Sequence, residues 1–209
     1  MAELTFYTNP MSRGQIARWM LEEIGEPYDQ VILDYGTTMK GEEYLAINPM
    51  GKVPAIKDGN HVVTEAAAIC AYLAEAYPDA GLAPTAEERA DYYRWLFFAA
   101  GPVEAAVTSR HMQWEPTDEQ KATLGFGSFD DAIGALEQWF TTHDYVCGDR
   151  FTAADVYVGA QVDWGLTFGT IPECEAFTAY AERLRGRAAY KKAKEIDQAL
   201  MPQEQPATS

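Results

Sequence analysis

The segment at residues 48–56, Asn-Pro-Met-Gly-Lys-Val-Pro-Ala-Ile, constrains the fold more than any other part of the chain. Proline is normally excluded from strand interiors, because it cannot donate to the hydrogen-bond ladder, but it is tolerated at a strand's first residue. If the Val53–Pro54 bond is cis, the N–H and C=O groups of Val53 are exposed at the end of a sheet, where an extended peptide ligand can pair with them. The alternative is an ordinary trans proline in an edge strand.

Residues before Pro78 show alternating strand and helix signals, and the predicted order is βαβαββα. An Asp-Gly turn after the proline segment predicts a hairpin. The predicted strands are residues 4–7, 30–33, 53–57 and 61–63, and the predicted helices are residues 13–24, 42–47 and 65–77. This order favours a small mixed sheet with helices on its faces.

Strand signals are absent from the second part of the chain. The polar, proline-containing residues 79–87 are typical of a linker between a domain at 1–78 and an all-helical domain at 88–200, and residues 201–209 are expected to be a flexible tail. The predicted helices are residues 88–111, with a bend at Gly101-Pro102, then 118–141, 153–168, 173–185 and 187–200. Core candidates in the second of them are Leu124, Ile133, Leu136 and Phe140.

Charge and cysteine content exclude several classes of function. The 209 residues carry 32 acidic and 16 basic side chains, a net charge of −16, which disfavours nucleic acid and anionic membrane surfaces as partners. No window approaches the roughly 18 apolar residues of a membrane span. We expect no metal centre, because Cys70, Cys147 and Cys174 are far apart and form no Cys-x-x-Cys. The cysteine usage and the absence of signal-peptide character at residues 1–4 indicate a cytoplasmic protein.

Three motifs in one order carry a resemblance to a known family. They are the Asn-Pro-x-Gly-Lys-Val-Pro segment, the Glu65-Ala66 pair at a helix start, and residues 151–156, Phe-Thr-Ala-Ala-Asp-Val, which form a capping box between Thr152 and Asp155 with a hydrophobic staple. Together they resemble the glutathione transferases from Leu4 to about residue 199. The resemblance implies a thioredoxin-like N-terminal domain followed by an α-helical C-terminal domain that lines an electrophile pocket.

The same resemblance implies a glutathione-binding site. In it Val53 pairs through its backbone with the glutathione cysteine, Pro54 is cis, and Glu65 and Ala66 hold the γ-glutamyl end. Lys40 and Lys52 are further glutathione-binding candidates. The family usually has Ser or Thr after the acid, so Ala66 keeps the N–H but lacks the hydroxyl. Because a hydrogen bond to a charged group is worth about 1.5–3 kcal/mol, we expect weakened glutathione binding.

The loop at residues 9–14, Asn-Pro-Met-Ser-Arg-Gly, lies between the first predicted strand and helix. Ser12 is either a plain helix N-cap or a catalytic hydroxyl, because a hydroxyl and free N–H groups at a helix N-terminus stabilise a thiolate. The resemblance to serine-type transferases makes Ser12 the first catalytic candidate, with Asn9 second and Tyr7 third. No cysteine lies in this loop, which argues against thiol-transferase chemistry.

The resemblance also implies a pocket for an apolar second substrate, although helix-end packing explains each of its residues singly. The candidates are Met11, Arg110, His111, Trp114, Tyr157, Trp164 and Phe168.

The predicted function is that of a glutathione transferase acting on small hydrophobic electrophiles, a detoxification activity, with glutathione as co-substrate, no metal and a homodimeric assembly. Two alternatives remain. One is a non-catalytic binding or regulatory protein of the same fold. The other is a glutathione-dependent isomerase, peroxidase, dehalogenase or ether-cleaving enzyme.

Overall fold

The computed structural model describes residues 3–201, which form two compact units. One unit contains residues 3–69 and 188–201, and the other contains residues 70–187. The predicted tail, apart from Met201, lies outside the described residues. The predicted domain boundaries at residues 78 and 88 stay predictions.

The first unit is built on a four-stranded mixed sheet with strand order β2-β1-β3-β4. The strands are β1 (Leu4–Thr8), β2 (Tyr28–Ile32), β3 (Ala55–Asp58) and β4 (His61–Thr64). β1 runs parallel to β2 and antiparallel to β3, and β3 and β4 form the predicted hairpin. The prediction of a small mixed sheet with a thioredoxin-like order of elements is confirmed.

Three helices accompany this sheet within the first unit: α1 (Gly14–Ile24), α2 (Glu42–Leu45) and α10 (Ala188–Leu200). A further helix, α3 (Ala66–Ala76), begins in the first unit and continues into the second. α1 ends at Gly25, whose φ of 75° is the left-handed conformation that favours glycine at a helix C-terminus. α10, although last in the sequence, packs against α1, so the chain returns to the sheet unit at its end.

The second unit is helical, as predicted. Its helices are α4 (Arg89–Phe98), α5 (Glu104–His111), α6 (Asp118–Lys121), α7 (Phe129–Phe140), α8 (Ala153–Phe168) and α9 (Glu175–Arg185). A π-helical turn at Ala99–Val103 joins α4 to α5 at the position of the predicted bend. Pro102 accounts for this turn, because it has no N–H for the regular helical ladder.

The predicted helix at residues 118–141 is wrong, because the structure divides it into α6 and α7. Gly127 lies between them with a φ of 63°, and Ser128 caps α7 by accepting a hydrogen bond from the Asp131 N–H at 3.1 Å. Leu124, predicted to be in the core, falls in the break and is 40% exposed. The other three core candidates are buried.

The third predicted strand also begins later than expected. β3 starts at Ala55, so Val53 and Pro54 precede the ladder instead of opening it. Proline has no N–H to contribute there, which explains the late start.

Among residues 3–201, no helix combines the length and the apolar character needed to cross a bilayer.

Candidate active site

The sheet register gathers three of the predicted segments at one end of the sheet. Tyr7 of β1 pairs with Ala55 of β3, and Ala55 pairs with Thr64 of β4. Both pairings are antiparallel and end at Ala55, so the chain leaving β1, the chain entering β3 and the chain leaving β4 all lie at this end of the sheet. The loop after β1, the segment before β3 and the start of α3 therefore converge.

Val53 presents its backbone at this end of the sheet. The Val53–Pro54 bond is cis, as predicted. Within residues 3–201, neither the N–H nor the C=O group of Val53 makes a hydrogen bond. Its side chain packs, together with that of Tyr7, against a buried cluster of Leu33, Met39, Tyr44 and Ala55. The side chain is thus anchored while the polar backbone groups stay open.

The residues before Val53 are held by side chains from α2 and its surroundings. The Lys52 carbonyl accepts hydrogen bonds from the Tyr44 hydroxyl and, at 2.8 Å, from Asn48 Nδ2. Burial raises the pKa of Tyr44 to about 12, so this hydroxyl remains a donor at neutral pH. Lys40 Nζ donates to the Met50 carbonyl at 2.9 Å. Of the two predicted lysines, Lys40 therefore braces this loop.

The loop after β1 is fixed by its own side chains. Asn9 is buried, and its Nδ2 donates to the Leu33 carbonyl at 2.8 Å while its Oδ1 accepts the Met11 N–H at 2.9 Å. Ser12 Oγ donates to the Asn9 carbonyl at 2.6 Å and accepts the Gly14 N–H at 2.9 Å. Both polar groups of the Asn9 side chain are thus used within the protein, and the Ser12 hydroxyl stands at the N-terminus of α1.

Gly14, which the sequence analysis did not single out, permits this arrangement. A Cβ atom at residue 14 would lie 1.9 Å from Thr8 Oγ1 and 2.9 Å from Ser12 Oγ. Only glycine therefore allows α1 to begin so close to the end of β1.

Tyr7, the third catalytic candidate, lies beside Tyr44 with 5.6 Å between ring centroids. Its side chain is half-buried, and its hydroxyl makes no hydrogen bond within the described part of the chain. Tyr7 and Ser12 therefore both stay candidates for contact with a ligand at this end of the sheet.

Glu65 immediately precedes α3 and has a φ of 67°. A non-glycine residue in this region is uncommon and costs about 1–2 kcal/mol relative to right-handed geometry. Such strain clusters at ligand sites. The Glu65 side chain is exposed, whereas Ala66, the first residue of α3, is buried.

The predicted electrophile-pocket residues have varied environments. Met11 in the first unit is exposed, as are His111 and Trp114 in the second, where Trp114 is 69% exposed. Tyr157 is only 3% exposed, and its hydroxyl donates to Glu104 Oε2 at 3.3 Å. Trp164 is half-buried, and Phe168 ends α8 with 73% of its surface exposed.

Arg110 lines a cavity of about 190 Å³ within the second unit. Its guanidinium lies 4.1 Å from the centroid of the Phe129 ring. Carboxylate oxygens of Glu115 and Asp130 lie 3.9 and 3.8 Å from it. Of the predicted pocket residues, Arg110 alone lines this cavity.

The capping box of α8 is present as predicted. Asp155 is fully buried and accepts hydrogen bonds from the N–H groups of Val146 and Thr152 at 2.7 and 2.8 Å and from the Tyr180 hydroxyl at 2.9 Å. Burial nevertheless raises the pKa of Asp155 to about 6. This carboxylate organises the packing around α8.

A buried ion pair between α1 and α10 was missed by the sequence analysis. Arg18 Nε contacts Asp197 Oδ1 at 2.7 Å, and the guanidinium also donates to Tyr28 and Gln30, each at 2.9 Å. Arg18 and Asp197 are 179 positions apart, so no local pattern predicts their contact.

The comparisons with known proteins identify a family. The sequence matches the profile "Glutathione S-transferase, N-terminal domain" over residues 2–75 and "Glutathione S-transferase, C-terminal domain" over residues 100–187. It is 31% identical over 167 residues to glutathione S-transferase F10 of Arabidopsis thaliana, covering 73% of this chain and 76% of that protein. It is 27% identical to glutathione S-transferase GstA of Escherichia coli O157:H7, covering 80% and 85%.

A solved structure is similar over nearly the whole chain. A sphingomonad glutathione S-transferase complexed with glutathione superposes with a TM-score of 0.75 at 28% identity, covering 93% of this chain and 98% of that one. The fold combines a thioredoxin-like unit with a helical unit. The chain belongs to the glutathione S-transferase family, and the predictions of family, fold class and glutathione transferase enzyme are confirmed.

Proposed function

We propose that this enzyme binds glutathione at the Val53 end of the sheet and directs the glutathione thiolate at a small apolar electrophile. The observation that carries the proposal is the open backbone of Val53 beside the Ser12 loop. An extended peptide pairs with such groups as an added strand does. The solved relative complexed with glutathione supports the choice of ligand.

The remaining contacts of glutathione follow from the charges at this end of the sheet. Glu65 offers a carboxylate to the free amine, and the Ala66 N–H at the start of α3 faces the γ-glutamyl carboxylate. Lys40 and Lys52 supply positive charge for the glycyl carboxylate. Lys40 supplies this charge while its Nζ donates a hydrogen bond to the Met50 carbonyl.

Ser12 acts on the sulfur by changing one hydrogen bond. A free thiol has a pKa near 8.5 and is mostly protonated at neutral pH. To stabilise the thiolate, the Ser12 hydroxyl turns its proton from the Asn9 carbonyl towards the sulfur. The Asn9 carbonyl keeps a partner, because the Ser12 N–H also donates to it at 3.1 Å. The Gly14 N–H continues to donate to Ser12 Oγ, which strengthens the hydroxyl as a donor.

The reaction then needs no further group from the enzyme. The thiol proton leaves to solvent, the sulfur lone pair forms a bond to the electrophilic carbon, and a leaving group departs with its electron pair or the adduct is protonated. Met11, Arg110, His111, Trp114, Tyr157, Trp164 and Phe168 remain the candidates for contact with the electrophile. We further propose a cytoplasmic homodimer.

The experiment is the pH profile of kcat/KM with glutathione and an aryl halide. We expect an apparent thiol pKa below that of free glutathione, and Ser12→Ala should raise it while lowering the rate near neutral pH by about 10- to 150-fold. Glutathione affinity should change little, because the sulfur is the only part of glutathione that the hydroxyl contacts. Tyr7→Phe is the matched control for the hydroxyl, and Asn9→Ala tests the second catalytic candidate. If Ser12→Ala leaves the apparent thiol pKa unchanged and Tyr7→Phe raises it, Tyr7 and not Ser12 stabilises the thiolate.

A further inference from the structure

We propose that Gln15 of α1 and Lys194 of α10 are positioning residues that hold the loop at residues 9–14 in the geometry that favours a thiolate. The proposal rests on the proposed function, which identifies the thiolate as that of glutathione. It concerns only contacts within the first unit.

A chain of two hydrogen bonds joins α10 to this loop. Lys194 Nζ donates to Gln15 Oε1 at 3.0 Å, and Gln15 Nε2 donates to the Pro10 carbonyl at 2.7 Å. Both side chains are half-buried, so the bonds are partly shielded from water. A charged donor on the amide oxygen polarises the amide and makes its N–H groups stronger donors. Lys194 therefore strengthens the bond that Gln15 makes to the loop.

Gln15 is placed to control the loop from both of its ends. Its backbone N–H donates to the Ser12 carbonyl at 3.2 Å, while its side chain holds the Pro10 carbonyl. The peptide plane that carries the Pro10 carbonyl also carries the Met11 N–H, which donates to Asn9 Oδ1. Releasing the Pro10 carbonyl frees that plane to rotate and loosens the turn that presents Ser12.

Lys194 also contributes its positive charge, in addition to its effect on the geometry of the loop. Charged groups that face one another across α1 and α10 include Arg18, Glu22, Lys192, Lys194 and Asp197. Arg18 pairs with Asp197, and Glu22 pairs with Lys192 at 2.6 Å. Lys194 is the lysine of α10 whose ammonium is linked by hydrogen bonds to the loop. A positive charge linked in this way favours an anion beside Ser12.

The first test measures hydrogen exchange at the Met11 and Ser12 amides and requires no ligand. Gln15→Ala should speed exchange at Met11 by about fivefold, the effect of losing one hydrogen bond, and Lys194→Met should speed it by about twofold, because it weakens that bond without removing it. Lys192→Met is the matched control, because it removes the same charge from the same helix but pairs with Glu22. Unchanged exchange in both test variants would overturn the proposal. Should Gln15→Ala fail to fold, Lys194→Met carries the test.

The second test follows the ultraviolet absorbance of bound glutathione thiolate against pH, with S-methylglutathione as the blank. Lys194→Met and Gln15→Ala should raise the apparent pKa of the bound thiol by about 0.5, whereas Lys192→Met should leave it unchanged. Lys194→Arg should leave the apparent pKa at its wild-type value, since arginine is also a charged donor. A loss of stability alone does not move this pKa, so the thermal unfolding midpoint separates the two effects.

The outcomes distinguish this proposal from the proposed function. Faster exchange in a protein that binds no glutathione would leave the positioning role supported and the proposed function wrong. A normal exchange rate with a lowered thiol pKa that neither variant alters would leave the function intact and overturn the positioning role.

Discussion

Glu65 combines a costly backbone conformation with an exposed carboxylate at the start of α3. Glycine adopts a positive φ at no steric cost, so the strain is a consequence of having any other side chain at this position. The proposed contact with the amine of glutathione explains why an acidic residue is useful there. Stability and ligand binding are therefore in conflict at this residue.

We predict that Glu65→Gly raises the free energy of unfolding by about 1 kcal/mol while weakening glutathione binding. Glu65→Gln, the matched control, should weaken binding without stabilising the protein, because it keeps the strained side chain. Urea unfolding and calorimetry measure the two effects. Equal glutathione affinity in all three proteins would remove Glu65 from the site.

Ala66→Ser tests the same part of the site, the start of α3, with a substitution that should strengthen binding. Restoring the hydroxyl that the family usually has should strengthen glutathione binding by about 10- to 150-fold. Ala67→Ser, one residue further along α3, is the control. Calorimetric titration with identical dissociation constants for the wild type and Ala66→Ser would show that the γ-glutamyl carboxylate does not use this helix start.

Glu88 provides a pH dependence whose sign can be worked out. Hydrogen bonds from Arg150 lower the pKa of Glu88 to about 2, and the same guanidinium donates to the carbonyls of Gly81 and Ala83. A carboxyl with a lowered pKa in the folded state stabilises the protein above its unfolded pKa of about 4.5, and this contribution is lost as the pH falls towards 2.

We therefore predict that Glu88→Gln destabilises the protein at neutral pH and that its difference from the wild type shrinks between about pH 4.5 and pH 2. Glu87→Gln, on the adjacent exposed residue, should show no such dependence. Urea unfolding at stepped pH measures both. A constant difference across that window would contradict the assignment.

At the scale of elements, two capping boxes of the same type differ in burial. Asp131 at the start of α7 bonds Ser128 in solvent, whereas Asp155 at the start of α8 is fully enclosed and holds Val146 and Tyr180 as well as Thr152. Removing a buried acceptor leaves its donors without partners, which costs more than losing an exposed cap.

We predict that Asp155→Ala lowers the free energy of unfolding by roughly 3 kcal/mol or more, and that Asp131→Ala lowers it by less than about 1 kcal/mol. Denaturant titration of the two variants tests the difference. Equal losses would mean that the contacts of Asp155 beyond the cap contribute nothing.

Sequence patterns predicted elements well where a local signal was strong. The capping box at Thr152, the Asp-Gly hairpin and the Gly25 stop were all confirmed, because each depends on neighbouring residues. The prediction of one helix over residues 118–141 was wrong. The sequence Gly127-Ser128 is a local signal for a helix start, but the prediction gave more weight to the helical periodicity on either side of it.

The candidate site shows the same division. The proline segment and the Ser12 loop are local patterns, so the sequence analysis could single them out. The contact of Lys194 with Gln15 and the pairing of Arg18 with Asp197 join positions 179 apart, so only the packing of α10 on α1 creates them. Hydrogen-bond partners such as Asn9 with Leu33 likewise depend on tertiary structure.

At the scale of the whole molecule, α4 presents an apolar face. Phe97 is 70% exposed, and its ring stacks on Tyr93 with 6.3 Å between centroids. Tyr93 in turn donates to Glu75 of α3 at 3.0 Å. Exposed aromatic residues in such a cluster are typical of protein interfaces. We propose that the homodimer forms through α3 and α4, which accounts for this surface.

We predict that the protein in solution has twice the mass of one chain and that Phe97→Glu converts it to a monomer, because a charge buried in an interface is costly. Phe168→Glu, at an equally exposed residue at the end of α8, should leave the mass unchanged. Light scattering at micromolar concentration measures both. A wild-type protein with the mass of one chain would contradict the dimer.

The central claim is that glutathione binds at the Val53 end of the sheet with its sulfur at the Ser12 loop. A crystal structure of the wild-type protein with glutathione tests this most directly. We predict that the cysteinyl N–H and C=O groups of glutathione pair with the backbone of Val53 and that Ser12 Oγ lies within hydrogen-bonding distance of the sulfur. Glutathione bound elsewhere, or a sulfur held away from the loop with the Ser12 hydroxyl still on the Asn9 carbonyl, would contradict it.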